Sequence, residues 1–318
     1  MRILQCLNWD LTAIKDNLKK IKEQGFDVIQ ITPVQPLKES HKDSWWLCYQ
    51  PCGFSIGNQY GSREDLLDLC NNAHEYGLSI VVDVICTHTA QNGIMIPHEL
   101  VDKELVSNPY FWREKRNLQG DWEYNNRYNV THYCAGNLPY LNLYNWELQD
   151  RITKFLNECI SCGIDGFRFD SGKSIPLPDD NFNEEKRLGL KDSRGCDFFP
   201  RVLDRLEKDN LINYIEVLNV SPDLIQKYSK YAKVLTDVEY DWLDKESLVT
   251  FAESHDQYYN WRPGIISPLN ANIVGDMYKS KSSVYPNTLF YARPYSDVWQ
   301  SETVKVANKI KKKTLTRN

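Results

Sequence analysis

The stretch "GIDGFRFDSGKSIPLPDD", residues 163–180, sets an arginine and an aspartate into an otherwise strand-like run. Strand alternation sends Gly166, Arg168 and Asp170 to one face and Phe167 and Phe169 to the other. The aromatic face is suited to packing under helices. The charged face must then point into an enclosed interior, with Asp170 at the strand's end.

Working outward, short β-branched runs alternate with amphipathic helical stretches, the pattern of a parallel α/β fold. "RILQCLN", "DVIQITP" and "LSIVVDVIC" precede the quoted strand; "LINYIEV", "AKVLTDV", "SLVTFAES" and "NTLFYAR" follow it. Between them, "LTAIKDNLKKIKEQG" reads as one helix with Leu11, Ile14, Leu18 and Ile21 at helical spacing and Gly25 as the stop. "SREDLLDLCNNAHEYG" reads as a helix capped by Ser62 and closed by Gly77. Eight strands, each with room for a helix after it, predict a (β/α)8 TIM barrel of the α/β class. One connection is out of scale: residues 88–145 carry no clear barrel element and are rich in Asn, Tyr and Trp. The expected organisation is residues 1–87 for strands one to three, a small inserted domain over 88–145, and residues 146–318 for strands four to eight.

Composition narrows the function. A net charge of −5 over 318 residues argues against nucleic acid as a partner, since phosphate recognition leaves a basic footprint. The basic run "KIKKKTLTRN" at the end reads as a solvated helix end or tail. No stretch approaches the roughly 20 apolar residues of a membrane span, and "MRILQCLNWD" lacks the apolar run of a signal peptide. Nine cysteines in irregular positions fit a reducing compartment, so a cytoplasmic location is expected. Cys159 and Cys162 form a CxxC on a helix without a second pair, which reads as two buried thiols. Nine Trp and nineteen Tyr suit a surface that stacks flat, polar ligands.

In a barrel of this kind, chemistry sits at the C-terminal ends of the strands. Asp83 lies within "IVVDVIC", Asp170 closes "GFRFD", Glu216 closes "LINYIEV", and His255 and Asp256 follow "LVTFAES". Taken singly, a strand-end Asp is a turn or cap residue, a strand-end Glu a rim residue, and Arg168 a structural ion-pair partner. Taken together, four acids at strands three, four, five and seven beside an arginine point to chemistry. Arg168 is expected to lower the pKa of Asp170 and keep it ionised, as a nucleophile requires. Glu216, crowded by carboxylates, is expected to keep its proton, as an acid catalyst requires. Two such carboxyls about 5–5.5 Å apart cleave glycosides with retention, and Asp256 could stabilise the cationic sugar ring.

"VVDVICTH", "GFRFDSGKS", "YIEV" and "FAESHD" resemble, in order, the four short conserved regions of the alpha-amylase family, glycoside hydrolase family 13. "YQPCGFSIGNQYG", "GFRFDSGKSIPLPDD" and "ESHDQY" are similar more locally to Bacillus-type saccharifying alpha-amylases. The resemblance runs from about Ile3 to "TLFYARP". It implies Asp170 as nucleophile, Glu216 as acid/base, Asp256 as transition-state stabiliser and Arg168 as support for the nucleophile. It further implies Tyr49, Gln50, Asp83, His88, Lys173 and His255 as substrate-binding residues on an α-glucan or maltooligosaccharide.

Two departures stand out. In the resembling proteins a structural calcium ion is bound through positions that match Thr87, Asn129 and Ser174. Here an amide and a carboxylate are replaced, so the expectation is that hydrogen bonds take the place of the ion and that no cofactor is required. The family usually continues into a C-terminal β-sandwich, whereas this sequence stops about 25 residues after "ARP"; a barrel-only enzyme, with room for a dimer, is the expectation. Three functions remain open: a hydrolase of internal α-1,4 bonds, a transglycosylase or oligosaccharide-specific α-glucosidase, and a catalytically silent glycan-binding or assembly protein.

Overall fold

The computed structural model describes residues 1–38, 44–182, 195–237, 239–260, 271–294 and 296–310. Eight strands follow one another around a closed, wholly parallel barrel: β1 (Arg2–Cys6), β2 (Val28–Ile31), β3 (Ser79–Val84), β4 (Gly166–Phe169), β5 (Tyr214–Glu216), β6 (Lys233–Leu235), β7 (Leu248–Phe251) and β8 (Thr288–Tyr291). β8 pairs back onto β1, so the sheet has no open edge. The expected TIM barrel is the fold.

Alternation along each strand sorts side chains into two environments. The outward set, including Leu4, Ile29, Val82, Phe167, Phe169 and Phe290, joins the helices in one large core. Phe169 meets Phe199 of the helix Phe198–Leu203 edge to face, with ring centroids 5.6 Å apart. The inward set begins apolar, with Ile3, Val28, Val81, Val249 and Leu289 packed together at the N-terminal end of the barrel. One layer further on it turns polar, with Gln5, Gln30, Asp83 and Arg168 all buried. The interior is therefore sealed at its base and charged towards its mouth.

The helix Arg63–Glu75 is capped by Ser62, whose hydroxyl accepts from the Asp65 N–H while the Asp65 carboxylate accepts from the Ser62 N–H. The expected single helix over residues 11–25 is two, Leu11–Asp16 and Leu18–Glu23. Asn17 separates them because its side-chain amide donates to the Ala13 carbonyl, competing with the backbone ladder.

Between β3 and the helix Trp146–Ser161 the chain forms short helical turns, among them Lys103–Ser107, Gly120–Asn125 and Arg127–His132. Leu118, Tyr128, Val130 and Tyr133 make a small core of their own, closed by Phe182 from the segment after β4. All nine cysteines are free and buried, Cys159 and Cys162 included. Among the described residues no helix is long and apolar enough to cross a membrane. Residues 311–318 of the basic end lie outside the described residues.

Candidate active site

Strand register builds the charged centre. Asp83 of β3 is level with Arg168 of β4, and Arg168 is level with Tyr214 of β5. Arg168 Nη1 donates to Asp83 Oδ1 (2.8 Å) and Oδ2 (3.0 Å) and to Asp170 Oδ1 (2.6 Å), while Nη2 donates to Glu216 Oε1. One guanidinium thus joins three carboxyls from three strands. Asp83 also accepts from the Tyr49 hydroxyl (2.9 Å) and from Gln30 Nε2 (3.3 Å), and the Gln30 oxygen accepts from the Tyr214 hydroxyl (2.7 Å).

A single cation cannot balance three buried acids. Burial pushes Asp83 up to about 7 against the pull of Arg168. The same burial raises Glu216; Arg168 pulls it down, and the charges of Asp170 and Asp256 push it up again. Asp170 is raised as well. Arg168 pulls Asp170 down, as expected, and a hydrogen bond with Glu216 acts the same way, but burial outweighs both and the net direction is upward.

The turn after β4 fixes where Glu216 points. Ser171 adopts a left-handed backbone (φ 50°) that aims its N–H at Glu216 Oε2, 3.0 Å away. At Gly172 an added Cβ would lie 2.1 Å from Ile215 Cγ2 and 2.6 Å from the Glu216 carbonyl oxygen. Only glycine lets the turn rest against the end of β5.

Both buried histidines are neutral. Gln5 Nε2 donates to His255 Nδ1 (3.1 Å), so the proton of His255 is on Nε2, 3.8 Å from Asp256 Oδ2. His88 Nε2 donates to the Tyr49 carbonyl (2.9 Å) and Nδ1 accepts from the Thr87 hydroxyl (2.9 Å). Burial lowers His88 to about 4 and His255 to about 3, with Arg168 adding to the effect at His255. Tyr49 stacks on His255 with 5.3 Å between centroids and 9° between planes, and Trp45 stacks likewise on Tyr259. These rings form one wall of the mouth. Asp256, in the helix His255–Tyr259, has a side chain 41% exposed against 11% for Asp170.

A family model for the alpha amylase catalytic domain matches residues 8–290. The chain belongs to the alpha-amylase family. An alpha-amylase from Clostridium acetobutylicum is 33% identical over 288 residues, covering 80% of this chain and 35% of that protein. An alpha-amylase from Butyrivibrio fibrisolvens is 27% identical over 309 residues, covering 81% and 31%. The chain thus spans about a third of the length of these relatives. Among solved structures, alpha-amylase I from Eisenia fetida in complex with maltohexaose superposes with a TM-score of 0.74 at 17% identity, over 92% of this chain and 66% of that one. The alpha-amylase of Geobacillus thermoleovorans complexed with acarbose gives 0.70 at 16% identity, over 97% and 78%.

Against this alpha-amylase-family barrel, the residues singled out in the sequence fall into three groups. Asp83, Arg168, Asp170, Glu216, Tyr49, His255 and Asp256 come together at the mouth. His88 and Gln50 flank them; both ring nitrogens of His88 are engaged by protein, while Gln50 Oε1 is buried with no hydrogen-bond partner among the described residues. Lys173 lies at the edge of the group, within the electrostatic reach of Glu216, beside the Tyr124 ring and lining a cleft of about 460 Å³ with Arg127, Asn219 and Asp223.

Thr87, Asn129 and Ser174 are all buried. The Ser174 carbonyl accepts from Arg113 Nη2 (2.6 Å), and the Thr87 carbonyl accepts from the Leu141 N–H (2.8 Å). Burial lowers Arg113 to about 10, which leaves it charged at neutral pH. Among the described residues no group of three His, Cys, Asp or Glu side chains is arranged to hold a metal ion. Gln5, Gln30, Tyr214 and Ser171 escaped the sequence reading. The first three carry a signal: polar groups at inward positions of apolar strands. Ser171 carries none.

Proposed function

We propose that this chain is a retaining α-glucan hydrolase that cuts internal α-1,4-glucosidic bonds by double displacement. The observation that carries the proposal is the sharing of one buried guanidinium by Asp170 and Glu216. Both carboxyls lie within hydrogen-bond reach of one guanidinium, which supports the short separation of retaining enzymes over the wide one that leaves room for water between them.

In the first step Asp170 attacks the anomeric carbon. The bond from that carbon to the leaving sugar's oxygen breaks, and the Glu216 proton moves onto the departing oxygen. Bond formation draws charge off Asp170 towards the sugar, and Arg168 steadies the carboxylate that returns. In the second step Glu216 takes a proton from water. The resulting hydroxide attacks the anomeric carbon and releases Asp170. Asp256, the most exposed of the acids, faces the side from which a chain must enter and offers negative charge to the cationic ring. Tyr49, Gln50, Asp83, His88, Lys173 and His255 are read as substrate contacts, and the nine free thiols support a cytoplasmic location.

Digestion of starch and of maltoheptaose, followed by product sizing, tests the reading. Shorter oligosaccharides from the wild type, lost in Asp170→Asn and Glu216→Gln, are expected. Products longer than the substrate would replace hydrolysis with transfer. No products from folded wild-type protein would overturn the enzyme reading.

A further inference from the structure

The residues matching the family's calcium position do not fit a divalent ion: the Ser174 carbonyl is already bound by a side-chain cation, and neither Thr87 nor Asn129 brings a carboxylate. Arg113 is buried within the excursion between β3 and β4. Its Nη2 donates to the Ser174 carbonyl (2.6 Å), its Nη1 to those of Val130 (2.9 Å) and Tyr133 (3.1 Å), and its Nε to that of Leu141 (3.1 Å). A hard dication seeks just such converging oxygens, together with carboxylate charge. Here the oxygens are neutral carbonyls, and the positive charge is covalently attached.

A second arginine works beside it. Arg127 donates through Nη1 to the Lys173 carbonyl and through Nη2 to that of Ile175 (2.9 Å), while Asp180 fixes its Nε and Nη2. The carbonyls of three successive residues, 173 to 175, are thus each held by an arginine from the excursion. These residues continue the turn that begins at Ser171, whose N–H binds Glu216 Oε2. Arg113 also lies over the Tyr140 ring (5.0 Å), which packs on His88 (5.2 Å).

We propose that Arg113 and Arg127 form a permanent guanidinium brace in place of an exchangeable calcium ion, and that through Ser171 they are positioning residues for Glu216. Holding the turn keeps the Ser171 N–H on the carboxylate, which favours its ionised form. Loosening the turn withdraws that hydrogen bond, so Glu216 should bind its proton more tightly. Glu216 faces Arg168 and Asp170 from β4, Asp256 and His255 from beyond β7, and Lys173 from the turn itself. A change at Arg113 leaves all of these in sequence, so a shift would report the turn.

The test has a metal arm and a variant arm. Wild-type protein dialysed against chelator is expected to keep its melting temperature, and calorimetric titration with calcium should show no stoichiometric binding. A lowered melting temperature restored by one equivalent of calcium would overturn the brace. In Arg113→Ala we expect a melting temperature lower by on the order of 10 °C and a kcat reduced by about tenfold or more with KM little changed. The basic limb of its pH–rate profile should move to higher pH, and guanidinium ion at sub-denaturing concentration should partly restore kcat. Loss of stability alone, with kcat and the pH limb unmoved, would reduce Arg113 to a structural residue and sink the positioning claim. Should Arg113→Ala fail to fold, Arg113→Lys keeps the charge but loses the fork and is expected to show the same pH shift. The kinetic readouts rest on the hydrolase reading. The melting and calcium arms do not, so an inactive wild type would overturn that reading while the brace is still decided.

Discussion

Asp83 and Arg168 are register partners on adjacent parallel strands, and Arg168 Nη1 lies 2.8 Å and 3.0 Å from the two oxygens of Asp83. The same Nη1 also donates to Asp170, and Nη2 donates to Glu216. Removing the cation should therefore do more than break one pair. Arg168→Met leaves three buried carboxyls uncompensated, a loss of about 3–5 kcal/mol as for other broken buried pairs. The variant should melt well below the wild type, most clearly at high pH where the acids are forced to ionise. Thermal melts across pH check this; an unchanged melting temperature at pH 8 would refute it.

Asp170 and Glu216 are assigned different chemistry, so their variants should differ. An activated fluoro-sugar should label the wild type covalently at Asp170, which peptide mass mapping detects, and should not label Asp170→Asn. Glu216→Gln should cut kcat on starch by about 10²–10⁴-fold. It should do so far less with substrates whose leaving group needs no proton.

Asp256 raises Glu216 through its negative charge. Asp256→Asn should thus lower kcat and also move the basic limb of the residual pH–rate profile to lower pH. A limb that stays in place or moves upward would show that Asp256 does not face Glu216 in the working enzyme.

Gly172 touches the end of β5, so Gly172→Ala must displace either Ile215 or the Glu216 backbone. Overpacking of this kind costs about 1–3 kcal/mol. The loss of kcat should exceed what the melting temperature suggests, because under the proposed mechanism the displaced group carries the proton. Parallel measurement of kcat and Tm separates the two.

The buried histidines set an acid limit. Folded His88 and His255 protonate near 4 and 3, well below the ordinary 6.5. In the unfolded chain they charge as pH falls through 6.5, so their contribution to stability is full above that pH and is lost progressively down to about pH 4 for His88 and about pH 3 for His255. His255→Gln keeps a neutral donor, and its melting temperature should fall less between pH 7 and pH 5 than the wild type's.

Period-two alternation was enough to place Arg168 and Asp170 inside the barrel, because burial on one strand face leaves a local record in residue type. The same rule could have found Gln5 and Gln30. Ser62 was legible as a cap because its partner Asp65 is three residues away. Asn17 was not legible as a break, since asparagine sits in helices often enough and only its bond to Ala13 decides. The net rise of Asp170 was missed because Arg168 is visible in sequence while the depth of burial is not. Arg113 and Arg127 left no periodic trace; their partners are backbone carbonyls, which every residue has, brought close only by the packing of the excursion on the turn after β4.

The apolar layer of Ile3, Val28, Val81, Val249 and Leu289 makes the barrel a chamber with one door. Under the double displacement proposed above, the departing glucan and the incoming water must use the same opening, on the same side of the sugar. Water can reach the anomeric carbon only after the leaving chain has moved aside, and then from the direction that chain left. A floor of five aliphatic side chains, with no part in the chemistry, thereby sets the order of traffic, while the retained configuration itself follows from two successive inversions of the anomeric carbon, by Asp170 and then by water.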